Sequence, residues 1–201
     1  MKLKKQQTKS QILLKISAVI IIVFWVGIFL TQIFNIIEKK RVYPLKYYDF
    51  VKECAINFGV SESLILATIK VESNFNEKAI SNKGAVGLMQ IKLETGDYIS
   101  KLLKEKDYDL LEPSTNIRYG TFYLKYLLDK FNDIETAVCA YNAGEGKVYS
   151  WLKNKNYSKN GATLCNVPYK ETKNYLNKIN KTIKKYNKLY SKILDKTNIK
   201  E

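Results

Sequence analysis

Ser61-Glu62-Ser63-Leu64-Ile65-Leu66-Ala67-Thr68-Ile69-Lys70-Val71-Glu72-Ser73 begins with a hydroxyl residue suited to cap a helix and continues through a run rich in apolar side chains. Ile65, Thr68, Ile69 and Glu72 recur at i, i+3, i+4 and i+7, which is one face of a helix. The spacing predicts a helix over Glu62–Ser73 with its apolar stripe turned inward. Glu72 extends that stripe, so a carboxyl is carried toward the buried side.

Helical patterns continue on both sides of this stretch. Upstream, Tyr47, Phe50, Val51, Cys54, Ala55 and Phe58 form one stripe that Gly59 ends as a C′ residue. Downstream, residues 74–87 read as a loop with turn signals at Ser81-Asn82 and Lys83-Gly84. A short apolar stretch, Leu88 to Ile91, leads to an expected helix over 95–104. Ser114-Thr115-Asn116 introduces a helix over 117–130, and further helices are expected over 134–141 and 146–152. Residues 154–166 are polar and read as a loop. From Tyr169 the pattern is one long helix in which Leu176, Ile179, Ile183, Tyr186, Tyr190 and Ile193 form a heptad-like seam. No alternating run is long enough to suggest a sheet, so the fold class is all-α.

The chain has 201 residues with 34 Lys+Arg, 19 Asp+Glu, a net charge of +15 and no His. That length suits one globular domain with an appendage. Without His, Ser-His-Asp and Cys-His nucleophiles and His-ligated zinc are excluded, and acid–base work falls to carboxylates, Tyr, Lys or Cys. The charge divides as +7 over residues 1–41, +1 over 42–169 and +7 over 170–201. A nucleic-acid-binding domain carries its basic residues on the folded face that meets phosphate. Here they lie in two flanks, so nucleic acid is not an expected partner.

The first flank has a clear cause. Residues 16–37 are 22 residues without a charge, enough for a helix to cross the roughly 30 Å core of a bilayer. No small-residue cleavage site follows, so the segment reads as a retained single-pass anchor. Five Lys precede it, whereas Lys39, Lys40 and Arg41 follow with Glu38 among them, which favours a cytoplasmic N-terminus and an extracytoplasmic domain. The expected organisation is a basic cytoplasmic segment 1–15, a transmembrane helix 16–37, a linker 38–45, a folded domain 46–186 and a basic helical tail 187–201. Contact with anionic wall polymer or lipid headgroups is expected of that tail. Cys54 and Cys139 lie in helical apolar patterns and read as small buried hydrophobes, while Cys165 lies in a loop. One disulfide is compatible with an oxidising compartment, but spacing does not choose its partners, and none of the three has a metal-ligand spacing. No metal or cofactor is expected.

Glu72 is the residue with chemical promise. The ordinary outcome for such a Glu is a packed stem with its carboxylate in water. A carboxyl held against apolar walls instead has its charged form disfavoured and its pKa raised. It keeps its proton near neutral pH and can donate it to a leaving oxygen, as a glycosidase general acid does.

Glu72-Ser73-Asn74-Phe75, Gly84-Ala85-Val86-Gly87-Leu88-Met89-Gln90-Ile91, Asn116-Ile117-Arg118-Tyr119-Gly120, Ala140-Tyr141-Asn142-Ala143-Gly144 and Val167-Pro168-Tyr169-Lys170-Glu171-Thr172-Lys173-Asn174-Tyr175 stand in that order. The set resembles the motifs of lytic transglycosylases of the soluble-lytic-transglycosylase (SLT) type, over about residues 47–181. The resemblance implies a lysozyme-like helical domain with a groove for peptidoglycan glycan strands. It implies cleavage of the β-1,4 bond between N-acetylmuramic acid and N-acetylglucosamine without water, leaving a 1,6-anhydro end. Glu72 is then the catalytic residue, acid first and base on the C6 hydroxyl second. Ser73, Ser81, Met89, Gln90, Tyr141, Asn142 and Tyr175 are the implied substrate-binding positions. Among them Met89 and Tyr175 also read as core residues, and Ser81 as a turn serine. Glu77, Asp97 and Glu145 are nearby acids that nothing in the sequence singles out. Lys92 departs from the family pattern, which usually has Met there, and puts a cation on an apolar groove wall. Two other readings stay open: a goose-type lysozyme-like hydrolase using the same Glu, and a catalytically silent wall-binding protein.

Overall fold

A computed structural model of the chain describes residues 2–194. The described residues divide into two units on either side of the Pro44–Leu45 junction. The first unit is the helix α1, Lys2–Ile37, continued by a π-helical turn over Glu38–Val42. The expected linker is therefore helical over most of its length. None of the described residues in the candidate span Leu14–Val42 is buried within the chain, and the segment is long and apolar enough to cross a membrane. Its exposed Ile, Val, Phe and Trp side chains lie all round the helix, with no polar face to give it a preferred side in water.

The second unit is built round α3, Glu62–Ser73. Ser61 caps it, its Oγ accepting from the Leu64 N–H at 3.3 Å, and Asn74 ends it in the left-handed region at φ 52°. Leu64, Ile65, Leu66, Ala67 and Ile69 are all buried, so α3 is apolar on nearly every side and needs neighbours around it. Those neighbours include α2, Tyr48–Phe58, and α8, Lys170–Leu189, both packed on α3. Beyond them α5, Pro113–Phe131, packs on α2 and on α6, Ile134–Ala143; α4, Leu93–Leu103, and α7, Glu145–Leu152, complete the unit. The all-α expectation holds.

The structure departs from the sequence expectation at four places. Two short strands, β1 (Ala85–Val86) and β2 (Ile91–Lys92), pair antiparallel with Ala85 opposite Lys92. Strands of two residues carry no period to read. Helix α5 starts at Pro113, with the Glu112 carboxylate accepting from the Thr115 N–H at 2.6 Å, so the cap is Glu112 and not the Ser-Thr-Asn run. Pro113 suits the first helical position because its missing N–H has no partner there anyway. Helix α4 begins at Leu93, two residues earlier than expected. Finally, α8 ends at Leu189, so the seam stops short: Leu176, Ile179, Tyr186 and Tyr190 are buried against this unit, whereas Ile193 is exposed. Of the expected basic tail, residues 195–201 lie outside the described residues.

Candidate active site

Glu72 sits in the last turn of α3, where two successive residues of positive φ, Asn74 and Phe75, turn the chain sharply away. Phe75 is buried and fixes that turn. The Glu72 carboxyl is shielded from water, and desolvation raises its pKa from 4.5 to about 7. Tyr175, from α8, donates its hydroxyl to Glu72 Oε1 at 2.7 Å, which pulls the pKa the other way. Burial foremost keeps the Tyr175 phenol neutral by raising its own pKa well above the usual value. The pair is thus one carboxyl, poised near neutrality, oriented by one phenol.

Around Glu72 lies an open cleft of about 400 Å³. Its lining includes Ser81 and Lys83 of one loop and, from β2 onward, Ile91, Lys92, Glu94 and Thr95. Tyr123 of α5 and the end of α6, Tyr141 to Gly144, line it as well. The Tyr123 and Tyr141 rings meet at 5.6 Å, and Tyr123 stacks on Tyr126 at 6.1 Å, giving a braced aromatic face. Glu171, at the start of α8, also lines it.

The sequence-derived positions separate into two groups. Glu72, Ser81, Gln90, Tyr141 and Asn142 line the cleft. Ser81 Oγ accepts from the Ala85 N–H at 3.0 Å and the Lys83 N–H at 3.3 Å, which makes the turn and leaves its hydroxyl proton for a ligand. Gln90, at φ 51°, spends its NH₂ on the carbonyls of Gly87 (3.0 Å) and Ala79 (3.1 Å), so its own carbonyl oxygen is the group left for a ligand. The Tyr141 hydroxyl donates to the Met89 carbonyl at 2.8 Å, which ties the end of α6 to the Met89 loop.

Ser73, Met89 and Tyr175 do not line the cleft. Ser73 Oγ bonds back to the Ile69 carbonyl at 3.1 Å, the local alternative that a helical serine commonly takes. Met89 is fully buried, and a Cβ added at Gly120 would stand 2.4 Å from its sulfur. Its side chain is therefore a core plug seated over Gly120, and only its backbone serves the site. Tyr175 acts behind Glu72, on the carboxyl.

Sequence reading missed Asn116 as a structural hub. It is fully buried; its Oδ1 accepts from the Met89 N–H at 2.7 Å, and its Nδ2 donates to the Leu110 carbonyl at 2.6 Å and the Val86 carbonyl at 3.0 Å. Asn116 and Gly120 are one turn apart on α5, so one helix face holds the loop by backbone and by side chain. The signal was present in the spacing of the quoted Asn-x-x-x-Gly motif. Of the three undecided acids, Glu77 accepts from Tyr47, Asp97 from Tyr108 and Glu145 from Lys130. None of them lines the cleft, whereas Glu94 and Glu171 do. Lys92 lines it too and is exposed, a cation on the lip as its departure from the motif implied.

Residues 49–164 match the family model described as the Transglycosylase SLT domain. The chain belongs to this family. Its relatives include the soluble lytic murein transglycosylase of Salmonella typhimurium, 36% identical over 68% of this chain and 22% of that protein. The membrane-bound lytic murein transglycosylase C of Haemophilus ducreyi is 32% identical over 74% of this chain and 47% of that protein. Among solved structures, the 70 kDa soluble lytic transglycosylase of Escherichia coli superposes with a TM-score of 0.64 at 31% identity, over 73% of this chain and 25% of that one. The Pseudomonas aeruginosa enzyme Slt, crystallised as an inactive mutant with glutamine in place of a glutamate, gives the same TM-score at 29% identity, over 73% of this chain and 24% of that one. This SLT chain thus spans about a fifth of the soluble relative and about half of the membrane-bound one.

Proposed function

We propose that this SLT chain is a membrane-anchored peptidoglycan lytic transglycosylase in which Glu72 serves as acid and then as base. The observation that carries the reading is a single desolvated carboxyl, with a pKa of about 7, held by a neutral tyrosine in an open cleft. Protonated Glu72 donates to the glycosidic oxygen as the bond to C1 of N-acetylmuramic acid breaks, and the N-acetylglucosamine leaves as an alcohol. The carboxylate then accepts the proton of the C6 hydroxyl while O6 bonds to C1, which closes the 1,6-anhydro ring and returns Glu72 to its starting state. No water is consumed. A pKa near the working pH suits a group that must give a proton and take one in the same turnover. Tyr175 stabilises the transient carboxylate by its hydrogen bond and is a positioning residue. The Ser81 hydroxyl, the Gln90 carbonyl and the Asn142 amide are the polar groups proposed for sugar contacts, with Tyr123 and Tyr141 as the apolar face.

The apolar helix and the membrane-bound relatives support anchoring through residues 16–37, with the N-terminus in the cytoplasm and the folded unit outside. The proposed organisation is a basic segment 1–15, the span 16–37, a short connection to 45 and the enzymatic unit beyond it. Digestion of purified peptidoglycan by the detergent-solubilised chain, read by mass spectrometry, is expected to release anhydro-muropeptides. Reducing-end muropeptides would establish the hydrolase instead, and equal release by the parent and Glu72→Gln would end the enzyme reading.

A further inference from the structure

Spacing alone left the pairing of three cysteines open, and the fold separates them. Cys54 is buried on α2, whereas Cys139 of α6 and Cys165 border one cavity of about 160 Å³ that residues 164–167 and α8 complete. Both stand as free thiols beside that void, Cys139 fully buried and Cys165 exposed. The approach of the two segments is fixed by hydrogen bonds. Thr136 Oγ1 accepts from the Leu164 N–H at 3.1 Å, and the Cys165 N–H donates to the Tyr157 carbonyl at 2.8 Å. Thr136 lies three residues before Cys139 on α6, so their side chains are neighbours with roughly 5–6 Å between Cβ atoms. Leu164 and Cys165 are consecutive, with Cα atoms about 3.8 Å apart. The anchor that pins the connection therefore stands one step from each thiol. A bond between the sulfurs asks the side chains to turn into the shared void, which is how a disulfide meets its narrow geometry without unfolding the backbone.

We propose that Cys139 and Cys165 form a disulfide that staples the α7–α8 connection to α6, with Cys54 left as a free thiol. The staple acts on the site's scaffold. Helix α6 carries Tyr141 and Asn142 just beyond Cys139, and the connection leads directly into α8, which carries Tyr175. Bond formation proceeds by exchange with an external disulfide. The Cys165 thiolate attacks it and releases one thiol; the Cys139 thiolate then attacks Cys165 Sγ and releases the second. Two protein thiols are oxidised, one external disulfide is reduced, and the protons leave on the released thiols. Burial pushes the Cys139 thiol up to about 12, so the second step runs best during folding, while α6 is still open to solvent. The pairing rests on geometry; its occurrence in the cell rests on the extracytoplasmic placement proposed above.

The test uses the full-length chain in detergent, unfolded and refolded with glutathione and glutathione disulfide, then denatured without reductant, blocked with maleimide and digested. The expected products are a cross-linked peptide pair containing Cys139 and Cys165, and a single maleimide adduct, on Cys54. Dithiothreitol is expected to lower Tm by about 5–10 °C, as opening a loop of this size in a domain of this length should. Cys165→Ser, at an exposed position, should lose both the cross-link and the dithiothreitol effect while keeping the reduced parent's Tm; Cys54→Ala should keep the cross-link. Three maleimide adducts, a cross-link through Cys54, or glutathione trapped on Cys165 with Cys139 free would each overturn the proposal. In a second arm, thiols are trapped in intact cells before lysis. A pair closed there supports both readings; a pair that closes on refolding and is open in cells supports the pairing and counts against the placement.

Discussion

Replacing Glu72 by Gln should remove activity and, above neutral pH, make the protein more stable. The folded carboxyl keeps its proton up to pH about 7, whereas in the unfolded chain it ionises near its ordinary value of 4.5. Between those values the unfolded state binds fewer protons than the folded one, so stability falls as pH rises through the window; above about 7 the full penalty stands. A rise of roughly 2.5 pKa units at about 1.36 kcal/mol per unit sets that penalty at about 3 kcal/mol. Gln has the same shape, is neutral at every pH, and its amide oxygen can still accept from Tyr175. For a folded unit of this size, the gain corresponds to a Tm higher by about 5–10 °C near pH 8, shrinking to almost nothing near pH 4. Thermal denaturation of parent and variant in the same detergent, followed by circular dichroism at several pH values, measures the difference. If the Tm gap were equal at pH 4 and pH 8, or if the variant were the less stable near pH 8, the idea of a carboxyl held against its own ionisation would fail.

Three further outcomes follow from the same geometry. Tyr175→Phe removes the bond that lowers the Glu72 pKa, so the alkaline limb of the pH–activity profile should move up; a limb that stays put or moves down would detach Tyr175 from the carboxyl. Asn116→Ala strands the Met89 N–H and the carbonyls of Leu110 and Val86, and should cost about 3 kcal/mol or more in urea unfolding, with kcat reduced as the Met89 loop loosens. Gly120→Ala drives a methyl into the Met89 sulfur and should cost about 1–3 kcal/mol; combining it with Met89→Ala should recover part of that loss, and strict additivity in the double-mutant cycle would contradict the contact.

What the sequence disclosed follows the range over which each signal acts. Helix α3 was legible to its ends because its cap, its stripe and its left-handed terminator all lie within its own residues. Glu72 was legible for the same reason, as a polar residue out of place on an apolar stripe. Met89 read as a core residue as well as an implied contact, and the structure bears out the core reading; a residue in an aperiodic loop carries no phase, so only Gly120, a turn beyond Asn116 on another helix, reveals the seat it fills. Glu94 entered the cleft lining through tertiary folding alone, and the turn signal at Lys83 and the motif around Glu171 did not say that these two side chains would line it. The start of α5 was misplaced for a different cause. Two adjacent cap signals competed, and Pro113 with the Glu112 carboxylate won over the hydroxyl run.

The residue that tunes Glu72 lies 103 positions away, on a helix beyond the segment 49–164 that the family model covers. Helix α8 packs along both α3 and α6, burying Thr172, Tyr175, Leu176, Ile179, Thr182 and Tyr186 on one face. Lysines fill much of the opposite face, so the second basic flank is first of all the solvated side of a helix whose other side completes the core. The requirement does not end with the helix. Tyr190 and Leu194 are buried as well, and Tyr48 of α2 donates its hydroxyl to the Ile193 carbonyl at 3.2 Å. Removing the residues after 186 would therefore expose that surface. Charge partition along the sequence marked a change of composition at residue 170, but the physical domain runs through it, because the acid at the end of α3 needs a helix from the basic flank to hold it.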